Sequence, residues 1–482
     1  MSYANHTRTI TETPSKGGGS VPLATAGLLI GMLLSVLDQT VVAIALPDIA
    51  ADLGGMDAIG WIVTTYLLAS TATGTLYGRV SDRFGRRPVF LVAVAAFVVG
   101  SALSGLAQSM PQLIAARTFQ GLGAGALFVL PTITLSELYP QRLRSRVQGF
   151  TGGVFALASV GGPLAGGAIT DAWGWRWIFY VNLPLGLLAM ALTAYALRLP
   201  KPKATGPDGL GGAGNGRVDL AGAVLLAGAT VSLLLVAEWG GRTHAWTSGV
   251  VLALAGATVT LAALFVWRER RAASPLLPLR LFADPALRVV LPATALLGAL
   301  LGGSLVYLPT YLQTAFGMGA TQAGLALNPY VVTFIAVSSL AGARIGASGR
   351  FKPYLLAGSA IAALGFVLLS LLTPDTPYAV LAVELAVLGA GFGLLMQNLV
   401  VVAQNAAAPA DLGAVTSAAV SVRGLGLALG VAVFGTLLTR ELQGRPPGPA
   451  SIAAAIPEVL FWGAPAAVVL TALLTLLPRA RR

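Results

Sequence analysis

The sequence Gly78-Arg-Val-Ser-Asp-Arg-Phe-Gly-Arg-Arg-Pro88 is a short basic turn between two long apolar segments, 61–77 and 89–107. It contains four arginines and one aspartate, and glycines stand on both sides of the aspartate. Glycine permits tight turns and close backbone approach. A basic turn between two segments of membrane length is typical of the cytoplasmic side of a membrane protein.

A related turn occurs in the second half of the chain. The sequence Gly342-Ala-Arg-Ile-Gly-Ala-Ser-Gly349-Arg-Phe-Lys352 has the same glycine spacing and also lies between two apolar segments. The aspartate does not recur, because Gly346 stands at the position that corresponds to Asp82. We therefore expect two related halves, of which the first keeps the full motif.

The composition is that of a membrane protein. Of 482 residues, 56% are hydrophobic and 10% are charged, and apolar segments of about 20 residues, each enough to span a bilayer, repeat along the chain. The net charge of +12 comes from short loops, which argues against nucleic acid as a partner. The chain has no cysteine, two histidines in a tail and a loop, and no P-loop. We expect no metal, no cofactor and no enzymatic activity.

The apolar pattern predicts an all-α polytopic fold with fourteen transmembrane helices. A count of twelve would require the pair at 219–238 and 247–267 to lie outside the membrane, yet both segments are long and nearly free of charge. The predicted helices are 22–46, 57–77, 89–107, 111–138, 147–170, 177–197, 219–238, 247–267, 288–314, 320–344, 353–372, 377–404, 412–438 and 456–478.

The predicted organisation is two six-helix bundles separated by two extra central helices. A Gly- and Pro-rich linker divides the first bundle from the rest. Paired bundles related by a repeat are typical of transporters, whose substrate site lies between them. The expected parts are a tail at 1–21, a first bundle at 22–198, a linker at 199–218, the inserted pair and a basic loop at 219–287, and a second bundle at 288–482.

The basic residues predict the orientation. With the amino terminus in the cytoplasm, cytoplasmic segments hold 24 of the 30 Lys and Arg residues and the outer loops hold four. Tryptophans should form an aromatic belt at the outer ends of the helices. They are Trp61, Trp173, Trp175, Trp177, Trp239 and Trp246.

Asp38 and Arg117 are ionisable residues inside predicted membrane helices, where charge is costly and tends to mark function. Asp38 lies in Leu37-Asp-Gln-Thr-Val-Val-Ala-Ile-Ala-Leu-Pro47, and Arg117 begins Arg117-Thr-Phe-Gln-Gly-Leu-Gly-Ala-Gly125. They lie roughly 12 Å and 9 Å from the outer ends of their helices at 1.5 Å per residue. Their depths match, which allows a direct charge pair or a water-bridged coupling that links proton binding to helix movement. A static structural pair is the alternative.

Four further residues are candidates for a central substrate cavity together with Asp38. Arg423 lies near the middle of predicted helix 13, and Glu384 lies in the outer part of helix 12. Gln120 and Gln397 are polar residues on the same helices as Arg117 and Glu384. Glu384 and Arg423 are equally consistent with a functional role and with pairing to polar neighbours.

The basic turn is expected to act as a latch between two conformations. Asp82 can accept hydrogen bonds from the amino terminus of a neighbouring helix or pair with an arginine of the next cytoplasmic loop. Attraction to anionic lipids and a role in topology are the alternatives. The latch candidates are Gly78, Asp82, Arg83, Gly85, Arg86, Arg142, Arg144 and Arg146.

Predicted helix 5 contains a glycine- and proline-rich motif. Proline in a helix interior removes a hydrogen bond and can bend the helix, while glycines allow another helix to approach closely. We expect this segment to seal one side of a transport pathway, with a purely structural bend as the alternative. The motif residues are Gly149, Gly162, Pro163, Gly166 and Gly167.

Together these motifs resemble the major facilitator superfamily and, within it, the 14-helix drug:proton antiporters. The stretch 78–88 is similar to the cytoplasmic loop motif of the superfamily, and 37–47 is similar to the helix-1 motif of the 14-helix group, with Ala43 in place of an Asn. The stretch 117–125 resembles the helix-4 motif, and 149–167 the antiporter motif of helix 5. Trp175-Arg-Trp-Ile-Phe-Tyr-Val-Asn-Leu-Pro184 is also similar to this group.

The resemblance implies proton-coupled multidrug efflux by alternating access, with small-molecule drugs or amphiphilic cations, protons and membrane lipids as partners. A carboxylate, Asp38 or Glu384, would then have to reach the cavity as the counter-charge of the cation. The alternative is a dedicated exporter of a single metabolite or lipid. We expect a monomer in a bacterial inner membrane with both termini in the cytoplasm.

Overall fold

The computed structural model describes residues 20–54, 58–198, 219–241, 244–272, 275, 279–373, 375–408, 411–446 and 448–478. Most of the predicted tail and the linker lie outside these ranges. Helices occupy every predicted segment, and three of the segments, 177–197, 320–344 and 456–478, are each divided into two helices.

The helices are α1 (Val21–Leu53), α2 (Ile59–Phe84), α3 (Arg86–Leu106), α4 (Met110–Leu138), α5 (Gln141–Trp173), α6 (Trp177–Tyr180), α7 (Asn182–Ala196), α8 (Leu220–Trp239), α9 (Gly249–Glu269), α10 (Pro285–Phe316), α11 (Ala320–Ala326), α12 (Asn328–Ser348), α13 (Lys352–Leu369), α14 (Tyr378–Ala406), α15 (Leu412–Glu441), α16 (Pro449–Phe461) and α17 (Gly463–Thr475).

The predicted all-α polytopic membrane fold is confirmed. Within the described residues, eleven helical segments are long and apolar enough to cross a membrane. Helices satisfy their own backbone hydrogen bonds, which is required where no water is available. The outer faces remain apolar, as for Val92 and Leu157, which are 67% and 61% exposed. Such faces fit contact with lipid chains.

The two ends of the helix bundle differ in composition. The basic end carries the turns at Gly85 and Gly349, both of which have a positive φ, 91° and 67°. Only glycine adopts this conformation without strain, which explains its recurrence in the two related turns. The opposite end carries Trp61, Trp173 and Trp239 and is called the tryptophan end below.

Buried apolar side chains form separate clusters in the two halves of the chain. One large cluster draws its members from residues 281–477, while two others draw theirs from residues 28–179. Between the halves, α2 packs on α15, and α5 packs on α12 and α14. The space between the halves is therefore enclosed by α-helices from both of them.

The inserted helices α8 and α9 have different environments. Helix α8 packs against α2 of the first half and α15 of the second, and the rings of Trp61 and Trp239 meet at 5.7 Å between centroids. Helix α9 packs on α8 and is otherwise largely exposed, with Val259 70% accessible. At the basic end, Asp219 caps α8 and forms an ion pair with Arg268 of α9.

Candidate functional site

A central cavity of about 280 Å³ lies between the two halves. Its walls come from α1, α2, α4 and α5 on one side, from α10, α14 and α15 on the other, and from α8. Apolar side chains make up most of its surface, including the rings of Tyr66, Phe128 and Phe155. The polar lining residues are Ser35, Gln39, Thr64, Tyr66, Ser70, Thr71, Ser421 and Arg423.

Beside the cavity, Asp38 and Arg117 form a buried ion pair between α1 and α4. Arg117 Nη1 donates to Asp38 Oδ2 at 2.5 Å and to Gln120 Oε1 at 2.7 Å. Gln120 Nε2 in turn donates to Asp38 Oδ1 at 2.8 Å. Both charged side chains are fully buried, with 0% exposure. The predicted pairing of Asp38 with Arg117 is therefore present in the structure.

Two residues from outside the predicted set extend this network. Asn182 at the start of α7 donates to Asp38 Oδ1 at 2.9 Å and to Ser101 Oγ of α3 at 3.0 Å. Ser101 donates to the backbone carbonyl of Phe179 at 2.9 Å. The carboxylate of Asp38 is thus held by side chains from α4 and α7, and it has donors on both oxygens.

Tyr66 separates the network from the cavity. Its ring lines the cavity and also lies against Arg117, whose guanidinium carbon is 4.1 Å from the ring centroid. The Tyr66 hydroxyl donates to the backbone carbonyl of Ser35 at 3.1 Å. A movement of α2 or α1 would therefore change the packing around the ion pair and the shape of the cavity together.

The five residues expected at the cavity occupy different places. Arg423 is among the described residues that line it, whereas Asp38, Gln120, Glu384 and Gln397 are not. Asp38 and Gln120 are directed into the ion-pair network behind Tyr66. Glu384 is buried in α14, and one of its carboxylate oxygens has no hydrogen-bond partner among the described residues.

Gln397 lies where α14 meets α5. A Cβ atom added to Gly152 of α5 would be 3.1 Å from Gln397 Cγ. The Gln397 amide nitrogen is buried and has no hydrogen-bond partner within the described part of the chain. Its sequence neighbour Met396 lines the cavity, whereas Gln397 does not.

The glycine motif of α5 brings this helix against α1 beside Asp38. A Cβ atom at Gly162 would overlap Thr40 Oγ1, and one at Gly166 would be 3.1 Å from Val41 Cα. The Thr40 hydroxyl donates to the backbone carbonyl of Ala158 at 3.2 Å. Gly149, by contrast, approaches α12, with Ser339 Cα 3.4 Å from its added Cβ. Helix α5 therefore contacts both α1 and the second half.

The basic end contains a second charge network. Arg86 forms ion pairs with Asp82 at 2.5 Å and with Glu137 of α4 at 2.7 Å. It also donates to the carbonyl of Gly78 at 3.2 Å. This network joins α2, α3 and α4 within the first half of the chain.

The same network lies against the amino terminus of α15. A Cβ atom at Gly413 would be 2.5 Å from Asp82 Oδ1, and one at Gly78 would be 2.7 Å from Ser417 Oγ. The placement of Asp82 at a helix amino terminus matches one of the expected arrangements. Arg83 is exposed. The side chains of Arg142, Arg144 and Arg146, the expected alternative partners, lie outside the described residues.

Sequence reasoning missed Asn182, Ser101 and Glu137. Asn182 lies in the stretch 175–184, which carries part of the family resemblance, but nothing local connects it with Asp38 across 144 positions of the chain. Glu137 is separated from Arg86 by 51 positions. A polar residue in an otherwise apolar predicted helix was the available signal for both Asn182 and Ser101.

Comparison with known proteins gives the same architecture. The family model of the Major Facilitator Superfamily matches residues 28–225 and 212–431. Among solved structures, the human organic anion transporter MFSD10 (TETRAN) superposes with a TM-score of 0.67 at 16% identity, covering 94% of this chain and 99% of that one. At this identity the likeness shows the fold alone.

Two relatives illustrate the sequence similarity. Rv1877 of Mycobacterium tuberculosis, an uncharacterised MFS-type transporter, is 39% identical over 423 residues, which are 87% of this chain and 59% of that protein. Multidrug resistance protein 3 of Bacillus subtilis is 34% identical over 441 residues, 90% of this chain and 83% of that protein. The chain therefore belongs to the major facilitator superfamily of membrane transporters.

Proposed function

We propose that the protein is a proton-coupled antiporter that exports amphiphilic small molecules by alternating access. The observation that carries this proposal is the fully buried ion pair of Asp38 and Arg117 beside a cavity between the two halves. Ionisable groups in membrane helices are costly and tend to mark proton or substrate pathways. The names of relatives such as multidrug resistance protein 3 support export of drug-like compounds.

The proposed cycle alternates the charge state of Asp38. When Asp38 is ionised, Arg117, Gln120 and Asn182 hold it between α1, α4 and α7. Protonation neutralises the carboxylate and weakens the ion pair, which frees α1 to shift. Because α5 packs directly on α1 at Thr40 and also contacts α12, such a shift reaches the boundary between the halves.

The latch at the basic end fits the same cycle. The network of Asp82, Arg86 and Glu137 lies against the start of α15. We propose that this contact holds the basic end closed and separates when that end opens. We also propose that the basic end faces the cytoplasm of a bacterial inner membrane, and that the protein acts as a monomer in contact with membrane lipids.

The expectation of cationic substrates depends on an acidic group at the cavity. Among the described residues that line the cavity no side chain is acidic, because Asp38 lies behind Tyr66 and Glu384 lies elsewhere in α14. The apolar and aromatic walls support an amphiphilic substrate.

A dedicated exporter of one metabolite or lipid is the second candidate. The volume of about 280 Å³ lies at the lower limit of small-molecule sites, which span about 300–1,000 Å³. A small cavity favours a narrow substrate range. A panel of compounds of increasing size, tested in one transport assay, separates this candidate from a broad drug exporter.

The proposal is tested in proteoliposomes that contain the wild type, Asp38→Asn or Asp48→Asn. Asp48 is a matched control because it is exposed on the same helix α1. A pH gradient is imposed, and the flux of ethidium and of neutral and anionic aromatic probes is followed. We expect gradient-driven flux of at least one probe in the wild type and in Asp48→Asn, and its loss in Asp38→Asn while binding persists.

Two results would contradict the proposal. Gradient-driven flux that survives in Asp38→Asn would remove this residue from proton coupling. Equal flux with and without a pH gradient in the wild type would show that transport is not proton-coupled. Flux of a single compound among many would instead support the dedicated exporter.

A further inference from the structure

Arg423 is a buried cation at the central cavity with no acidic partner in the described part of the chain. Its side chain is 7% exposed, and it is the one charged residue among the described lining residues. No ion pair with a described carboxylate involves it, and its Nη1 atom has no hydrogen-bond partner among the described residues. Its guanidinium carbon lies 4.9 Å from the ring centroid of Phe128.

The other buried arginines of the described chain have a different environment. Arg117 pairs with Asp38, and Arg86 pairs with both Asp82 and Glu137. Burying a charge is unfavourable unless an opposite charge or hydrogen bonds offset the loss of water. A cation–π contact with Phe128 offsets a part of this loss, but the buried Nη1 donor is left unsatisfied among the described residues.

The backbone fixes Arg423 in this position. A Cβ atom at Gly298 of α10 would overlap the carbonyl of Arg423, and one at Gly302 would overlap the carbonyl of Leu427. The two helices therefore touch backbone to backbone, which sets the rotation of α15 about its axis. Leu427 and Gly424 line the cavity together with Arg423, so this part of α15 is held at the cavity wall.

We propose that the central cavity binds amphiphilic organic anions, with the Arg423 guanidinium as the partner of the anionic group, an inference that rests on the proposed export function. Guanidinium groups bind carboxylates and related oxyanions through paired N–H donors. The rings of Phe128, Phe155 and Tyr66 and the side chain of Leu301 provide the apolar contacts. The amide group of Gln39 and the hydroxyl of Thr71 supply additional polar contacts.

The test measures binding to the purified full chain in lipid nanodiscs by titration calorimetry, without a pH gradient. The probes share one ring and differ in charge: naphthylacetate, naphthylacetamide and naphthylethylammonium. Each is titrated into the wild type, Arg423→Gln, Arg423→Lys and Asp38→Asn. In the wild type we expect naphthylacetate to bind about tenfold or more tighter than the amide, as for a hydrogen bond to a charged group.

The variants separate charge recognition from folding. In Arg423→Gln the preference for the acetate over the amide should fall to about twofold or less, while affinity for the amide is kept. Arg423→Lys keeps the charge and should retain a part of the preference, since lysine lacks the paired donors. If Arg423→Gln does not fold, the wild type and Arg423→Lys still supply the comparison of the three probes.

Some binding results would overturn the proposal that Arg423 binds the anionic group. Equal affinity of the wild type for acetate and ammonium, or tighter binding of the ammonium, would overturn the proposal. A preference for the acetate that is unchanged in Arg423→Gln would place the anion elsewhere. The Asp38→Asn variant should keep the preference, so loss of coupled flux in that variant and loss of anion binding in Arg423→Gln are distinguishable failures.

A further variant addresses the acidic residue that follows Ala237 in α8. Ala237 lines the cavity, while the side chain of Glu238 lies outside the described residues. Glu238→Gln should leave the preference for naphthylacetate within about twofold of the wild type. A tenfold or greater change in that preference would indicate that Arg423 has a protein partner and would overturn the proposal.

Discussion

Asp38 is held by three side chains that converge from distant parts of the sequence. Gln120 and Asn182 both donate to its Oδ1 atom, and Arg117 donates to its Oδ2 atom. The hydrogen bonds fix the orientation of the Asp38 carboxylate, and the Arg117 guanidinium balances its charge. The coupling of proton binding to helix movement therefore depends on the polar partners in addition to the arginine.

The first prediction concerns Asn182, which we interpret as a positioning residue for Asp38. Asn182→Leu removes one donor and should destabilise the folded protein by about 1–3 kcal/mol, as for other buried hydrogen bonds to charged groups. The pH profile of flux should also differ from that of the wild type, because the Asp38 carboxylate loses one of its hydrogen-bond donors. Thermal unfolding and the pH profile of proteoliposome flux provide the two measurements.

Ser101→Ala is the control for this prediction. It removes the hydroxyl that accepts a hydrogen bond from Asn182 and leaves the donors to Asp38 in place. Its pH profile should therefore stay close to that of the wild type. A pH profile of Asn182→Leu that coincides with the wild type, despite lower stability, would assign Asn182 a purely structural role.

At the scale of helices, sequence reasoning located elements and depths better than side-chain directions. The similar depths of Asp38 and Arg117 predicted a pair, and the structure contains it, because two charges at one depth in a low-dielectric medium attract strongly. The apolar periodicity of α15 is weak, so the sequence does not reveal which face of α15 points to the cavity. Packing of Gly298 and Gly302 against α15 determines the position of Arg423, and this contact is invisible in the sequence of α15 alone.

The inserted helices α8 and α9 are a second case in which the sequence predicts an element better than its contacts. Length and lack of charge predict that α8 and α9 both span the membrane. Within the described residues α9 is long and apolar enough to do so, whereas α8 contains a shorter apolar segment, Ala221–Ala237. The role of both helices depends on which helices they touch. Helix α8 fills the space between α2 and α15 and lines the cavity with Leu234 and Ala237. We therefore interpret α8 as a part of the cavity wall and α9 as its cover toward the lipid.

The second prediction tests this interpretation of α8. Leu234→Trp places a larger side chain at the cavity wall and should weaken naphthylacetate binding by about 5- to 100-fold, because overpacking of a filled site is unfavourable by about 1–3 kcal/mol. Val224→Trp is the matched control, since Val224 lies on the same helix and is 69% exposed. Calorimetric titration of both variants checks the prediction. Equal affinities in the two variants would make α8 a peripheral helix.

At the scale of the whole molecule, two ion pairs lie outside the membrane segments, one at each end of the helix bundle. The ionisation of their carboxylates does not change with pH near neutrality. Hydrogen bonds from Arg176 and Trp175 lower the pKa of Asp52 at the tryptophan end. Burial opposes ionisation of Asp219 at the basic end, but hydrogen bonds from Arg268 and from the backbone of Gly222 outweigh it and lower its pKa.

A lowered pKa in the folded state stabilises the fold above the ordinary value, which is 3.8 for both groups. This contribution is lost only as the pH falls through the lowered pKa. Neither ion pair should therefore add pH dependence in transport assays between about pH 5.5 and 7.5. A pH dependence of flux in this range would therefore arise from groups other than these two ion pairs.

The last prediction combines the charge of the substrate with that of the proton. If one proton enters for each molecule exported, a monoanion moves two positive charges inward per cycle, a neutral compound moves one and a monocation moves none. A potential of about 100 mV contributes about 2.3 kcal/mol per charge. At a constant pH gradient, a potassium diffusion potential that is negative on the side the protons enter should therefore increase naphthylacetate flux most. It should increase naphthylacetamide flux less and leave naphthylethylammonium flux unchanged.

Arg423→Gln should lose the acetate flux selectively, whereas Asp38→Asn should lose gradient-driven flux of every probe. Stimulation of the ammonium flux by the potential, with no effect on the acetate, would contradict both the anionic substrate and the exchange with one proton.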